Sequence, residues 1–201
     1  MLFQLAVIFK VQNKIMLRLF IVFVSFTIST TLSAQAYKDS IKAQFLRYTN
    51  LLIEKNFAKS TEYINPGFFK LIPRQQLVAV IEKTYNNPVL DFNIENPVVI
   101  SIGNSKVING DNFVKMQYSN FLKMHFKSSD GKVQDTAATK GALIKQFGQN
   151  NVSYDAATDT YKIFVVKDVV ANSTNKKNWT FVVVEEKQKL ILEKFIPKEL
   201  L

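Results

Sequence analysis

The sequence predicts an α+β fold in which N-terminal helices pack in the concave face of a strongly curved, mostly antiparallel sheet. Apolar residues recur with a helical period after residue 36, and from residue 89 onward they mostly alternate with a period of two. One alternating stretch, Asn112–Phe126, is far longer than a usual strand of about five or six residues. A strand of this length has to bend, so a bulge or kink is expected near Ser119-Asn120.

Residues 1–36 have the features of a secretory signal peptide. Basic residues precede an apolar run, Leu19–Ile28, and no acidic residue occurs before Asp39. The run has about ten residues where a membrane span needs about twenty, so cleavage near Ala34 or Ala36 is preferred to an uncleaved anchor. We therefore expect a secreted or periplasmic protein whose mature chain has no membrane span. Met16 opens a more ordinary signal, which makes residues 1–15 a candidate for a mis-assigned start.

Residues 37–201 are expected to form a single, moderately basic domain. Loss of the signal peptide lowers the net charge from +10 to about +7, because three basic and no acidic residues are removed. The lysines are scattered and not interleaved with aromatic residues, which favours a solvated exterior and no specific nucleic-acid binding. The chain has no cysteine, so the hydrophobic core alone must hold an exported domain together.

Four helices are predicted from apolar stripes and helix-ending residues. In the first helix, Ile41, Phe45, Tyr48 and Leu52 fall on one side. Proline and glycine residues delimit the others, since they favour helix starts and turns. The predicted helices are Tyr37–Lys55, Phe57–Tyr63, Pro73–Tyr85 and Thr136–Phe147.

Six strands are predicted, mostly from alternation. Asn96-Pro97 and Glu186-Lys187-Gln188 are interpreted as turns, Asn109-Gly110 as a tight hairpin turn, and Ser128–Gly131 as a loop. Both faces of Thr160–Val170 are apolar, so both should be covered, by helices on one side and a partner chain on the other. The predicted strands are Val89–Ile94, Val98–Ile108, Asn112–Phe126, Thr160–Val170, Trp179–Glu186 and Lys189–Ile196.

The order of these elements resembles the nuclear transport factor 2-like superfamily, cone-shaped folds that include ketosteroid isomerase and polyketide-cyclase-like proteins, in a bacterial secreted branch. The resemblance implies a deep pocket between helices and sheet, and a convex sheet face that often pairs with another copy. Enzymes of the superfamily place an acidic base in that pocket. No carboxylate lies on the apolar face of the long strand, so no catalytic residue is carried over. The residues that carry the resemblance are Tyr37–Lys55, Phe68–Pro73, Asn86–Pro88, Ile102–Gly110, Asn112–Phe126 and Trp179–Pro197.

Few residues are candidates for chemistry. His125 is the only histidine and has no evident partner, so neither a metal site nor a catalytic triad is expected. Asp168 and Asp91 are the weak candidates for a catalytic base. A buried Asp168 would have a raised pKa, whereas Asp91 and Glu95 alternate with apolar residues and should face solvent.

Tyrosine and tryptophan side chains offer an apolar body with one polar tip, which suits a ligand pocket as well as a core. The candidates for pocket lining are Tyr48, Tyr85, Tyr118 and Trp179, with core filling as the alternative. No cofactor is expected.

These patterns favour an exported, non-catalytic domain that binds a small apolar ligand or a protein partner, and that forms a homodimer through its sheet. Two alternatives stay open. One is an isomerase- or cyclase-like enzyme with an acidic base in the pocket, and the other is a cell-envelope protein whose basic surface contacts anionic partners.

Overall fold

A computed structural model describes residues 35–127 and 136–201. The chain forms two compact units, Met1–Asp39 and Ser40–Leu201. In the first unit, the structure describes only residues 35–39, which are helical. Most of the predicted signal peptide and the predicted loop Ser128–Gly131 lie outside the described residues. The structure has helices and a six-stranded antiparallel sheet, which confirms the α+β class.

The four predicted helices are confirmed to within a few residues. Helix α1 covers residues 35–53. The short helix α2 continues as a 3₁₀ helix over Thr61–Tyr63, and a second 3₁₀ helix follows at Pro66–Lys70. A glycine with φ +91, Gly148, follows α4, as is usual where a chain leaves a helix in the left-handed region. The remaining helices are α2 Phe57–Ser60, α3 Arg74–Tyr85, α4 Thr136–Phe147 and α5 Lys189–Leu192.

The sheet is built around its two longest adjacent strands, β3 and β5. Its order is β1-β3-β5-β4, with β2 paired to β3 and β6 paired to β5. Asn109 and Gly110 both have positive φ, at 52° and 87°, which confirms the predicted tight turn between β2 and β3. The strands are β1 Leu90–Ile102, β2 Lys106–Ile108, β3 Asp111–Phe126, β4 Val152–Asp155, β5 Thr160–Ser173 and β6 Thr180–Val184.

The predicted turn at Asn96-Pro97 is wrong, because β1 runs through it. Glu95 pairs with Phe121 and Val98 with Ser119, so Asn96 and Pro97 together face Asn120 in a bulge. Proline has no N–H to give to the ladder, which is why it is tolerated here. The irregularity expected at Ser119-Asn120 therefore lies in the neighbouring strand, while β3 pairs with β5 without interruption.

The predicted strand Lys189–Ile196 and the hairpin at Glu186–Gln188 are also wrong. Glu186–Gln188 is a 3₁₀ helix, α5 follows, and Lys198–Leu200 is another 3₁₀ helix. The reason is packing: Leu192, Ile196 and Leu200 recur every four residues and are buried together. They cover Phe113, Val170 and Val182 of the sheet. Strand β4 was not predicted.

The two faces of the sheet have different coverings. On the face that we call the α1 face, Phe45 of α1 contacts the rings of Tyr118 and Phe181, and Leu143 of α4 packs with Val165. The opposite face carries Phe164, Val166 and Asp168. The chain's own C-terminal residues cover part of it at Val170, but Phe164 and Val166 are exposed.

Within the described ranges, no helix has both the length and the apolar character needed to cross a membrane.

Candidate functional site

The main candidate site is a cavity of about 720 Å³ against the α1 face of the sheet. Strand pairing explains its composition, because Tyr118 lies opposite Lys167 and Asn120 opposite Val165, so these four side chains share one face. Helix α4 and the turn after β6 complete the lining. The apolar walls come from Ile94, Leu122, Phe147, Val165 and Val183.

A second, smaller cavity of about 180 Å³ adjoins the first. Val183 and Gln188 line both cavities, so β6 and the 3₁₀ helix after it form the shared boundary. The walls of the smaller cavity are almost entirely apolar. They come from α1, the segment between α2 and α3, α3 itself and β6. They include Tyr48, Ile64, Phe68, Leu77, Ile81 and Phe181.

Asn120 is the buried polar side chain of the larger cavity. It is only 2% exposed, and its Nδ2 donates to the carbonyl oxygen of Phe121 at 3.3 Å. Among the described residues, its side-chain Oδ1 accepts no hydrogen bond. Asn120 is therefore a polar group on the cavity wall to which a ligand could hydrogen-bond.

Three tyrosines converge beside the cavities. Phe45 contacts the rings of Tyr48 and Tyr118 with centroid distances of 6.0 and 4.7 Å. The hydroxyl of Tyr85 is buried without a hydrogen-bond partner. Within the described part of the chain, the hydroxyls of Tyr48 and Tyr118 also form no hydrogen bond.

Burial keeps these hydroxyls protonated. It raises the pKa of Tyr48 to about 12. Burial and the nearby Tyr48 raise the pKa of Tyr85 to about 12. The pKa of Tyr118 is raised further, first by burial and then by Tyr48, Glu185 and Tyr85. At neutral pH the three hydroxyls are protonated and can donate hydrogen bonds, and burial extends this state to higher pH.

The two acidic groups at the cavity each have a cationic partner, whereas Lys187, which also lines the cavity, forms no ion pair within the described residues. Lys167 Nζ lies 2.8 Å from Glu185 Oε1 and 3.0 Å from Oε2. At the same rim, Lys189 Nζ lies 2.7 Å from Glu186 Oε1. Both carboxylates that line the cavity thus have a cationic partner, and neither is an unpaired base.

The predicted pocket residues divide into two groups. Tyr118 lines the larger cavity, Tyr48 lines the smaller one, and Tyr85 belongs to the same cluster. Trp179 is 2% exposed and donates from Nε1 to the carbonyl oxygen of Lys176 at 3.2 Å. It lines neither cavity, and its role there is core filling.

The acidic candidates and the histidine lie away from the cavities. Asp168 is exposed on the opposite face and accepts a hydrogen bond from Gln117 at 2.8 Å. Asp91 is exposed and pairs with Lys127 at 2.7 Å. His125 Nδ1 lies 2.8 Å from the carbonyl oxygen of Asp159. In residues 35–127 and 136–201, no cluster of three or more acidic or histidine side chains could hold a metal ion.

Sequence reasoning missed Lys167 and Glu185. Alternation puts Lys167 on the same face as Ile163, Val165 and Val169, so a charge on an apolar face was a usable signal. No such signal exists for Glu185, because its position depends on the 3₁₀ helix that replaces the predicted hairpin.

No family model, curated protein or solved structure matches this chain. Its function therefore has to be inferred from the cavity and its lining.

Proposed function

We propose that this chain is an exported, non-catalytic domain that binds a small, largely apolar ligand in the larger cavity. The observation that carries the proposal is the cavity itself, of about 720 Å³, in which apolar side chains from the sheet and α4 surround the buried Asn120 and charged residues lie at the rim. Small-molecule sites typically measure about 300–1,000 Å³ and combine apolar walls with a few polar groups.

The ion pairs at the rim support binding without chemistry. A general base must lie within about 3 Å of the group whose proton it removes. Glu185 and Glu186 are each held by a lysine, and Asp168 and Asp91 lie on the surface. The isomerase- or cyclase-like alternative would use Glu185, whose charge acts on Tyr118, and would require its ion pair with Lys167 to open.

Kinship with the nuclear transport factor 2-like superfamily is part of the proposal. It would place the first helices in the concave face of a curved sheet. Support comes from the sixteen-residue β3, the register shifts in β1 and the contacts of Phe45 with Tyr118 and Phe181. Export rests on the signal-like pattern of the first residues, with cleavage near Ala34 or Ala36.

Filling the cavity should abolish ligand binding. We expect native mass spectrometry of the protein purified from its natural host to show a bound small molecule, and Val183→Phe to lose it, because Val183 lines both cavities. Val107→Phe is the matched control, since Val107 is 65% exposed on β2. If the host protein carries no small molecule, or if Val183→Phe retains it, the proposal is wrong.

A homodimer through the opposite face of the sheet accompanies this proposal. Val98, Ile100, Phe164 and Val166 are 55, 51, 36 and 47% exposed on β1 and β5. On β3, Ser119 pairs with both Val98 and Val166, and Phe121 pairs with Phe164. Contiguous exposed apolar residues are a common feature of protein interaction surfaces. A different protein partner, or an anionic cell-envelope surface, is the alternative occupant.

Val166→Lys should dissociate the dimer. A lysine in the middle of the patch would lose its hydration when the dimer forms, so we expect the dissociation constant to rise by at least about tenfold. Light scattering after size exclusion measures this, with Val107→Lys as the control outside the patch. Monomeric parent protein at every concentration would contradict the dimer, and salt-sensitive binding to anionic vesicles would favour the envelope alternative.

A further inference from the structure

We infer that the ligand of the larger cavity is an amphipathic carboxylic acid, bound as its anion, with the carboxylate between Lys187 and Tyr118 and the apolar body against Leu122. This inference rests on the proposed ligand-binding function and assigns to it a chemical class and an orientation. Three observations support it: a positive charge that the ion pairs leave uncompensated, a hydroxyl donor without a partner, and a cavity wall that changes from polar to apolar along the strands.

The ion pairs at the cavity leave one positive charge uncompensated. Two lysines and two glutamates line the cavity. Glu185 pairs with Lys167, and Glu186 pairs with Lys189, which lies outside the lining. Lys187 forms no ion pair within the described residues. A ligand with one negative charge can therefore compensate Lys187 without breaking either pair, whereas a cationic head group would be repelled by it.

Tyr118 supplies the second contact that an anionic head group needs. Lys187 is exposed, and an ion pair with an exposed lysine contributes little by itself. Tyr118 lines the same cavity, burial raises its pKa, and its hydroxyl forms no hydrogen bond within the described part of the chain. A hydrogen bond from this hydroxyl is stronger to a carboxylate than to an alcohol oxygen. The nearby Glu185 opposes an anion here, but Lys167 lies 2.8 Å from it and balances its charge.

The wall of the cavity changes from polar to apolar along β3. Its polar end is the cross-strand pair of Tyr118 and Lys167. Asn120 follows two residues later on the same face, and after another two residues Leu122 pairs with Ile94 of β1. At roughly 3.3 Å per residue, Leu122 lies about 13 Å from Tyr118 along the strand. A ligand with its carboxylate at the polar end therefore extends its apolar body towards Leu122 and Ile94.

Calorimetric titration with octanoate, octan-1-ol and octylamine tests the chemical class. The three probes have the same alkyl chain, and at pH 8 their head groups are anionic, neutral and cationic. We expect octanoate to bind at least about tenfold more tightly than octan-1-ol, and octylamine to bind most weakly.

Two variants test the position of the carboxylate. Lys187→Gln and Tyr118→Phe should each weaken octanoate binding by about threefold to tenfold, and Lys187→Gln should leave octan-1-ol binding unchanged. In the double variant the two losses should not simply multiply, because both residues contact one carboxylate. Lys83→Gln is the matched control: it removes the same charge from an exposed position on α3 that lines neither cavity, and it should bind octanoate as the parent does.

Equal affinity for octanoate and octan-1-ol would overturn the anionic class. An equal loss in Lys187→Gln and Lys83→Gln would assign the preference to the net charge of the protein and overturn the contact with Lys187. If no probe binds but Val183→Phe still loses a molecule retained from the host, the inference is wrong while the proposed function stands. If Val183→Phe binds octanoate as the parent does, the site lies elsewhere and both are wrong.

Discussion

Replacing Phe45 by alanine should lower the free energy of unfolding by about 3–5 kcal/mol. Phe45 is fully buried, and its ring centroid lies 4.7 Å from that of Tyr118 and 5.2 Å from that of Phe181. It also contacts Tyr48 on its own helix. The substitution removes the aromatic side chain through which α1 contacts β3 and β6, and it leaves a void between groups that cannot easily close it.

Urea unfolding followed by circular dichroism measures this loss. Phe69→Ala is the matched control, because Phe69 is only half-buried and its ring is covered by the Arg74 guanidinium at 4.2 Å. We expect the control to cost about 1 kcal/mol. If both variants unfold at the same urea concentration, the aromatic cluster does not hold α1 on the sheet, and the cavity beside Tyr118 loses its structural support.

Alternation predicted β3 because the burial of its residues differs sharply between the two faces. In β3, Val114 and Met116 are buried while Lys115 is exposed, and a period-two pattern follows directly from such a difference. The turn at Asn109-Gly110 was equally predictable, since few other residues accept two successive positive φ angles. These features depend on local geometry, which the sequence encodes.

The errors occurred where a local pattern fits two structures. Leu190, Ile191 and Leu192 form an apolar run that suits a strand as well as a helix. In the structure Leu190 is 82% exposed and Leu192 is 1% exposed, and the burial of Leu192 with Ile196 selects the helical spacing. Asn96-Pro97 signals a turn and a bulge alike. Only the neighbouring strand decides between them, because it supplies the pairing on either side.

The candidate site was predicted in part. Tyr48, Tyr85 and Tyr118 were named from their chemistry, and the structure brings them together. Asp168 is the residue of β5 that the sequence singles out, because carboxylates are the usual bases, and Lys167 is missed although it alternates with Val165 on one face. The pairing of Lys167 with Glu185 joins two strands and a turn, and nothing in the local sequence specifies it.

Raising the pH from 10 to 12 should cost the folded protein several kcal/mol through the tyrosine cluster. The pKa values of Tyr48 and Tyr85 are raised from 10.0 to about 12. Below pH 10 both are neutral in the folded and unfolded states, so their contribution to stability is complete. Between pH 10 and 12 the unfolded chain loses these protons and the folded chain largely keeps them, which stabilises the unfolded state by up to about 2 kcal/mol for each tyrosine.

The double variant Tyr48→Phe/Tyr85→Phe should move this alkaline transition to higher pH, because phenylalanine has no proton to lose. At pH 7 the loss of the Tyr85 hydroxyl should cost little, since that group is buried without a hydrogen-bond partner. Phenolate absorbance and urea unfolding, measured together as a function of pH, separate tyrosine ionisation from the general effect of lysine deprotonation. Tyr63→Phe is the control outside the cluster. If the double variant and the control lose stability at the same pH, Tyr48 and Tyr85 titrate as solvent-exposed groups, and the cluster does not supply protonated donors to the cavity.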